Sequence, residues 1–430
     1  MSTYKIVETP LESKAYSKVL WRLVPFLFLC YVVAYLDRVN VGFAKLQMLA
    51  DLKFSDTVYG FGAGIFFIGY FIFEVPSNII LSKTGARIWI ARIMITWGII
   101  SSAMLFVTTP ESFYVLRFLL GVSEAGFFPG IILYLTYWFP SERRARVVAL
   151  FMTAIALSGV IGGPLSGWIM QAFAGVNNLA GWQWLFLLEG IPSILVGIAV
   201  IFYLDDSIEG AKWLSQEEKK VLADRIHNDQ KGIVDHGIAH TFTSVKVWLM
   251  ALIYFSFIMG LYGISFWLPQ LIKSTGVKDV LNIGLLTAIP YGFAAVVMIL
   301  VGRSSDRTGE RRWHTALGAI FGGIALIFAG LYSDSTVFGM IALSVATAGI
   351  LTSLPLFWTI PTAFLGGTAA AAGIAIINSI GNLAGFVSPF MVGYIKDATG
   401  SPTLGLYVIA ASLFIGALLV LGLVKKPQAI

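Results

Sequence analysis

The 430-residue chain is poor in charge, cysteine and histidine. Charged residues make up 12% of it, against about 25% in an ordinary soluble domain, while 57% is hydrophobic. A water-soluble core of this length is thereby excluded. The lone Cys30 cannot form an intrachain disulfide, and its place in the first apolar run carries no information about redox compartment. The four histidines, His227, His236, His240 and His314, fall in a hydrophilic loop or at the edge of an apolar run, so none is placed as an intramembrane proton relay. His236 and His240 have metal-capable spacing, but no acid or cysteine cluster accompanies them and no metal is expected. A large hydrophilic domain, a nucleophile elbow and a phosphate loop are also missing. That leaves little for an enzyme or a non-transporting membrane sensor to work with.

Apolar runs fill the sequence instead. Twelve stretches approach or exceed the ~20 residues needed to cross a bilayer: 19–44, 57–81, 88–108, 111–138, 146–172, 182–204, 246–272, 280–302, 314–333, 337–362, 367–395 and 403–424. Residues 1–18 are polar, and the run after them ends in Tyr35-Leu-Asp37-Arg38 rather than in a small-residue cleavage site, which predicts a retained span. With both termini inside, 22 lysines and arginines fall in cytoplasmic segments and five outside, so the positive-inside rule fixes the orientation. The same distribution accounts for the net charge of +6 and leaves no separate basic domain for nucleic acid.

The longest hydrophilic interruption divides the chain into a six-helix N-terminal half at 1–204, a cytoplasmic linker at 205–245 and a six-helix C-terminal half at 246–430. In the linker, Ser215 and Glu218 form a capping-box pattern, and Leu214, Val221, Leu222 and Ile226 make a helical stripe. An amphipathic helix resting on the bundle is expected, with a regulatory docking site as the alternative.

Six charges lie deep in the expected spans, all in the first half: Asp37, Arg38, Glu74, Arg117, Glu124 and Glu189. Each costs roughly 2.5–3.5 kcal/mol at a span centre, so each needs a partner, a cavity or a ligand. Arginines that cannot titrate, set among carboxylates that can, suit an anion site coupled to protons. The halves also echo each other: Ser82-Lys83-Thr-Gly85-Ala-Arg87 follows span 2, and Gly302-Arg-Ser-Ser-Asp306-Arg307-Thr-Gly309-Glu-Arg311-Arg312 follows span 8. The second copy resembles the major facilitator signature G-x-x-x-D-R-x-G-x-R-R, and recurrence at one place in each half is the parallel repeat of that fold. Gly85, Arg87, Asp306, Arg307, Gly309 and Arg311 are therefore candidate gating residues. The first copy lacks the aspartate, so a weaker network is expected there.

A more specific resemblance runs through most of the chain. Tyr35-Leu-Asp37-Arg38-Val-Asn40-Val-Gly42, Gly69-Tyr70-Phe-Ile-Phe-Glu74-Val-Pro76-Ser-Asn78, Arg117-x-x-x-Gly121-x-x-Glu124-Ala-Gly126-Phe-Phe-Pro129-Gly130, Trp184-Leu-Phe-Leu-Leu-Glu189-Gly and Gly381-Asn382-x-x-Gly385 are similar to the anion:cation symporter family. The resemblance implies an all-α major facilitator fold in a bacterial inner membrane and proton-coupled uptake of a small organic carboxylate such as a hydroxy-dicarboxylate, sugar acid or aromatic acid. It implies proton coupling at Asp37 and Glu124, an anion site at Arg38 and Arg117, and cavity positions at Tyr35, Tyr70 and Asn382. A monomer is expected, with the proton as coupling ion and no other cofactor.

The residue chemistry bears on these roles independently. Arg117 and Glu124 are two turns apart on one helical face, about 10 Å along the axis. Adjacent Asp37 and Arg38 point about 100° apart and cannot simply neutralise each other. The alternative is a structural ion-pair network, for instance Asp37 with Arg117, which can coexist with transport. Glu74 is expected to help satisfy backbone freed by Pro76, and Glu189 to pack or hydrogen-bond between helices near an aromatic belt. Asn378 and Asn382 offer either helix–helix bonding or substrate contact, and Trp358 could wall the ligand or serve as core. One rival remains within the fold: Ser158-Gly159-x-x-Gly162-Gly163-Pro164-Leu-Ser-Gly167 resembles the glycine-proline motif of antiporters, although close packing also explains it.

Overall fold

A computed structural model describes residues 9–230, 243–361 and 367–423. Among these, every regular element is helical, and twelve helices are long and apolar enough to cross a membrane. Spans 1 to 6 are Pro10–Leu52, Asp56–Thr84, Ala86–Phe106, Pro110–Thr136, Leu150–Ala172 and Gly181–Tyr203. Spans 7 to 12 are Val245–Ser274, Val280–Thr308, Arg312–Leu331, Thr336–Trp358, Gly373–Thr399 and Thr403–Leu423. The apolar surface confirms what solvent they meet: Ile72, Val75 and Ile79 of span 2 are at least half exposed, a lipid-facing stripe that water would not tolerate.

Boundaries depart from the hydropathic limits where polar caps extend a helix. Span 1 begins at Pro10 because Thr9 Oγ1 accepts from Glu12 N at 3.2 Å and proline suits the first helical position. It runs on to Leu52 after a turn at Asn40, which carries Lys45 inside the span. Lys45, placed outside by hydropathy, thus lies within span 1 and is only 2% exposed. Span 4 is broken after Glu124: Ala125 is extended and Gly126 has φ +86°, a left-handed conformation that glycine adopts without strain.

The bundle has two ends. The linker end carries the linker helix, and the far end carries the turns between spans 1 and 2 and between 7 and 8. At the far end the two sets of six spans meet closely. A β-carbon on Gly64 would lie 2.8 Å from Phe386 O, and one on Gly167 would lie 2.8 Å from Val280 O, so spans 2 and 11 and spans 5 and 8 are in backbone contact. Polar groups reinforce the seal. Asp56 pairs with Lys45 at 2.6 Å and with Lys396 of span 11 at 2.9 Å, while Asp397 accepts from Thr57 N at 2.7 Å.

The linker helix, Gln216–Gln230, is capped as the pattern predicts: Glu218 N donates to Ser215 Oγ at 3.2 Å and Ser215 N to Glu218 Oε2 at 2.9 Å. Leu214 and Leu222 are buried, and Glu218 pairs with Lys18 of span 1 at 2.5 Å. The Lys18 ammonium and the Ser215 N–H hold the Glu218 carboxyl below the usual glutamate range. His236 and His240 lie outside the described residues.

The two signature loops are built differently. Gly309 caps span 8 at φ +67°, Arg311 Nη2 donates to Asp306 Oδ1 at 2.6 Å, and Arg307 is exposed. After span 2, Gly85 turns the chain at φ +91°, and Asp206 from the end of span 6 accepts from Arg87 N at 2.8 Å. An aspartate distant in sequence therefore occupies the first loop, where the repeat itself lacks one.

Candidate functional site

Between the two sets of spans lies a cavity of about 550 Å³ that extends from Arg38 toward the linker end. Span 1 lines it with Tyr35 and Arg38, span 2 with Tyr70, span 7 with Tyr254 and Tyr262, and span 11 with Asn378 and Asn382. The wall is aromatic and apolar with a few polar groups, as small-molecule sites generally are.

Among the described residues, Arg38 is its only charged lining residue. Arg38 is 7% exposed, and each of its three guanidinium nitrogens donates to one of two partners. Nε donates to Glu124 Oε1 at 3.0 Å and Nη2 donates to the same oxygen, while Nη1 donates to Tyr262 OH at 2.9 Å. The break after Glu124 ends the helix here, with the carboxylate 1% exposed. A buried pair of this kind is poised: removing its negative charge leaves an arginine that needs another anion.

Arg117 is placed differently. It is fully buried two turns further toward the far end, and it is not part of the cavity lining. Nε and Nη2 donate to the carbonyls of Gly62 and Ala63 on span 2 at 3.3 and 3.2 Å, and Nη1 has no hydrogen-bond partner among the described residues. Asp37 faces away from both arginines. It accepts from Trp97 Nε1 at 3.1 Å, Ser101 Oγ at 2.8 Å and Ser193 Oγ, all neutral groups on spans 3 and 6. The alternative of an Asp37–Arg117 pair is therefore absent from the structure.

Glu74 does not serve the backbone freed by Pro76. Its carboxylate reaches across to span 11, accepting from Asn378 Nδ2 at 2.9 Å and Ser379 Oγ at 3.0 Å. Glu189 does make the expected interhelical bond, from Ser166 Oγ at 2.7 Å. Tyr35 OH meets Ser265 Oγ of span 7 at 2.9 Å. Trp358 stands one ring behind the lining, with its centroid 4.9 Å from that of Tyr254. Tyr254 and Tyr262 escaped notice in the sequence because a tyrosine inside a continuous apolar run looks like core.

The Major Facilitator Superfamily matches residues 27–389. The chain belongs to that superfamily. It is 52% identical over 428 residues to a protein of Agrobacterium vitis named "Putative tartrate transporter", covering 99% of this chain and 95% of that one. It is 42% identical to the "Quinolone resistance transporter" of Acinetobacter baumannii, covering 95% and 94%. The fold is similar to that of the xylose transporter XylE from E. coli in an inward open conformation, at TM-score 0.76 and 15% identity, covering 95% of this chain and 97% of that one. This superfamily member is accordingly a multi-pass membrane transporter and not an enzyme.

Proposed function

We propose that the chain is a proton-coupled symporter that takes up a small organic carboxylate by alternating access. The observation that carries this reading is the pairing of Arg38, on the cavity wall, with the buried Glu124. In the proposed cycle Glu124 and Asp37 take up protons, Arg38 loses its internal partner, and a substrate carboxylate replaces Glu124 on the guanidinium fork. A neutralised, occluded cavity can reorient, whereas one holding an unmatched charge resists. Two protons moving with a monoanion would carry one net positive charge, worth ~2.3 kcal/mol per 100 mV.

Roles for the remaining groups follow from where they sit. Tyr35, Tyr70 and Asn382 bound the ligand, Trp358 sets the position of Tyr254 from behind, and Arg117, with one free N–H pair, is available to an anion when the far end opens. The loops carrying Gly85, Arg87, Asp306, Arg307, Gly309 and Arg311 act as latches at the linker end. That end faces the cytoplasm in an inner membrane, as the basic residues favour, and the protein acts as a monomer. The name of the Agrobacterium relative makes a hydroxy-dicarboxylate the first substrate to test.

Export by proton antiport is the second reading, favoured by the name of the Acinetobacter relative. The glycines of span 5 that resemble an antiporter motif weigh less, because Gly163 and Gly167 are already required for contact with span 8. Whole-cell uptake of tartrate, a sugar acid, phthalate and a quinolone, with and without an uncoupler, separates the two. Symport predicts an anion whose accumulation the uncoupler abolishes; antiport predicts a quinolone whose accumulation the uncoupler raises.

A further inference from the structure

Spans 2 and 11 belong to opposite sets of six and run antiparallel along one seam. A β-carbon on Gly385 would lie 2.6 Å from the Phe67 ring, beside the backbone contact of Gly64 with Phe386. Two turns further toward the linker end, the same register brings Glu74 opposite Asn378 and Ser379. There the seam changes from apolar to polar.

Glu74 is 4% exposed, and both of its oxygens bond across the seam: Oε1 accepts from Asn378 Nδ2 at 2.9 Å and Oε2 from Ser379 Oγ at 3.0 Å. Neither donor carries a charge. Among the described residues no lysine, arginine or histidine bonds to this carboxylate. The titratable groups facing it are tyrosines: Tyr70, one turn away on span 2, and Tyr254 of span 7, which lines the first cavity beside Asn378 and packs its ring on Gly381 of span 11. Arg38 of span 1 lies 5.8 Å from the centroid of the Tyr70 ring and is already committed to Glu124 of span 4.

The two partners suit the acid better than its anion. A carboxylate buried among neutral donors is disfavoured by its lost hydration, and protonation removes that cost without losing either bond. The acid's carbonyl oxygen still accepts from Asn378, while its O–H donates to Ser379, a hydroxyl able to donate or accept. Parting spans 2 and 11 at the linker end reverses the preference. Asn378 lines the first cavity, so separation sets Glu74 against the water of that cavity, which solvates the anion.

We propose that Glu74 is a third proton-binding site of the transport cycle, carrying a proton while spans 2 and 11 meet and releasing it on the linker side when they part. On closing, hydronium gives its proton to a Glu74 oxygen, forming an O–H bond and leaving water. On opening, that O–H bond breaks, the electron pair stays on the carboxylate and the proton returns to water. This proton is tied to the linker-end gate rather than to the guanidinium of Arg38. The inference rests on alternating access, one part of the proposed function, but not on symport, and its test needs no substrate.

Full-length protein in lipid nanodiscs is spin-labelled at Ser82→Cys of span 2 and Arg303→Cys of span 8, both exposed at the linker end, while the native Cys30 is buried. The distance between the labels lengthens when that end opens. Asp37→Asn and Glu124→Gln are introduced together so that their own titration is absent. The ratio of long to short distances should then rise about tenfold between about pH 5 and pH 9. Glu74→Gln, whose amide makes both bonds without titrating, should hold the ratio at its low-pH value throughout, and Glu74→Asp should keep a pH dependence with a displaced midpoint. Ser379→Ala removes the acceptor for the O–H and should raise the open fraction at low pH. A merely structural glutamate would move the ratio by the same factor at every pH. A pH dependence that survives Glu74→Gln, or a ratio independent of pH with Glu74 intact, overturns the proton site alone. A single distance under every condition would overturn it together with alternating access.

Discussion

Glu124→Gln isolates the step on which coupling depends. In the structure Arg38 gives two donors to Oε1 of Glu124 and a third to Tyr262. The amide keeps an acceptor oxygen but removes the charge, leaving a buried arginine with neutral partners. Removing one partner of a buried ion pair typically costs about 3–5 kcal/mol. An anion entering the cavity recovers part of that cost, and recovery of only 1.4 kcal/mol already tightens binding about tenfold. The sign of the pH dependence follows. Anion and Glu124 carboxylate compete for one guanidinium in the wild type, so affinity rises as pH falls and Glu124 takes up its proton. In Glu124→Gln the competition is gone, and affinity should be about tenfold higher near neutral pH and independent of pH. Labelled-anion binding in nanodiscs across a pH series measures this, and proteoliposomes should show exchange without uphill accumulation. Wild-type accumulation together with an unchanged pH profile would refute the reasoning.

Other substitutions separate the remaining roles. Asp37→Asn should likewise abolish uphill accumulation in proteoliposomes. Arg38→Lys loses the fork geometry and should weaken anion affinity about tenfold or more without reducing membrane insertion, as read by competition uptake against expression level; Arg117→Lys should do so only if Arg117 meets the anion when the far end opens. Asn382→Ala and Trp358→Phe should reorder the ranking among tartrate, a sugar acid, phthalate and hydroxyphenylacetate in competition uptake, whereas Arg38 changes should weaken all of them together. Glu218→Gln should loosen the linker helix from Lys18 and speed limited proteolysis between the two sets of spans. Because the Glu218 carboxyl is held below its ordinary value, its contribution is complete above the usual glutamate range and is lost only as pH falls through the lowered value.

The twelve spans were legible because an apolar run long enough to cross a bilayer has few other uses, and the limits erred mainly where polar caps extend a helix, as at Thr9. The pairing of Arg38 with Glu124 was not legible from spacing, since it joins spans 1 and 4 through the break that follows Glu124. Asp37 shows the same limit: its donors are a tryptophan and two serines on two other spans, neutral residues with no pattern of their own. Glu74 was assigned to local backbone because its partners, Asn378 and Ser379, lie about 300 residues away. Lys45 hid behind the turn at Asn40, which places the end of the first apolar run well before the end of the helix.

The central claim is tested most directly by the proton itself. Purified protein is reconstituted into liposomes with a pH indicator inside, and tartrate or another anion identified by whole-cell uptake is added outside with no imposed pH gradient. Symport predicts that the inward anion gradient acidifies the lumen, that a proton ionophore abolishes the signal, and that Glu124→Gln vesicles give none while still exchanging labelled anion. Anion entry with no change in lumenal pH, or with alkalinisation, would contradict the account.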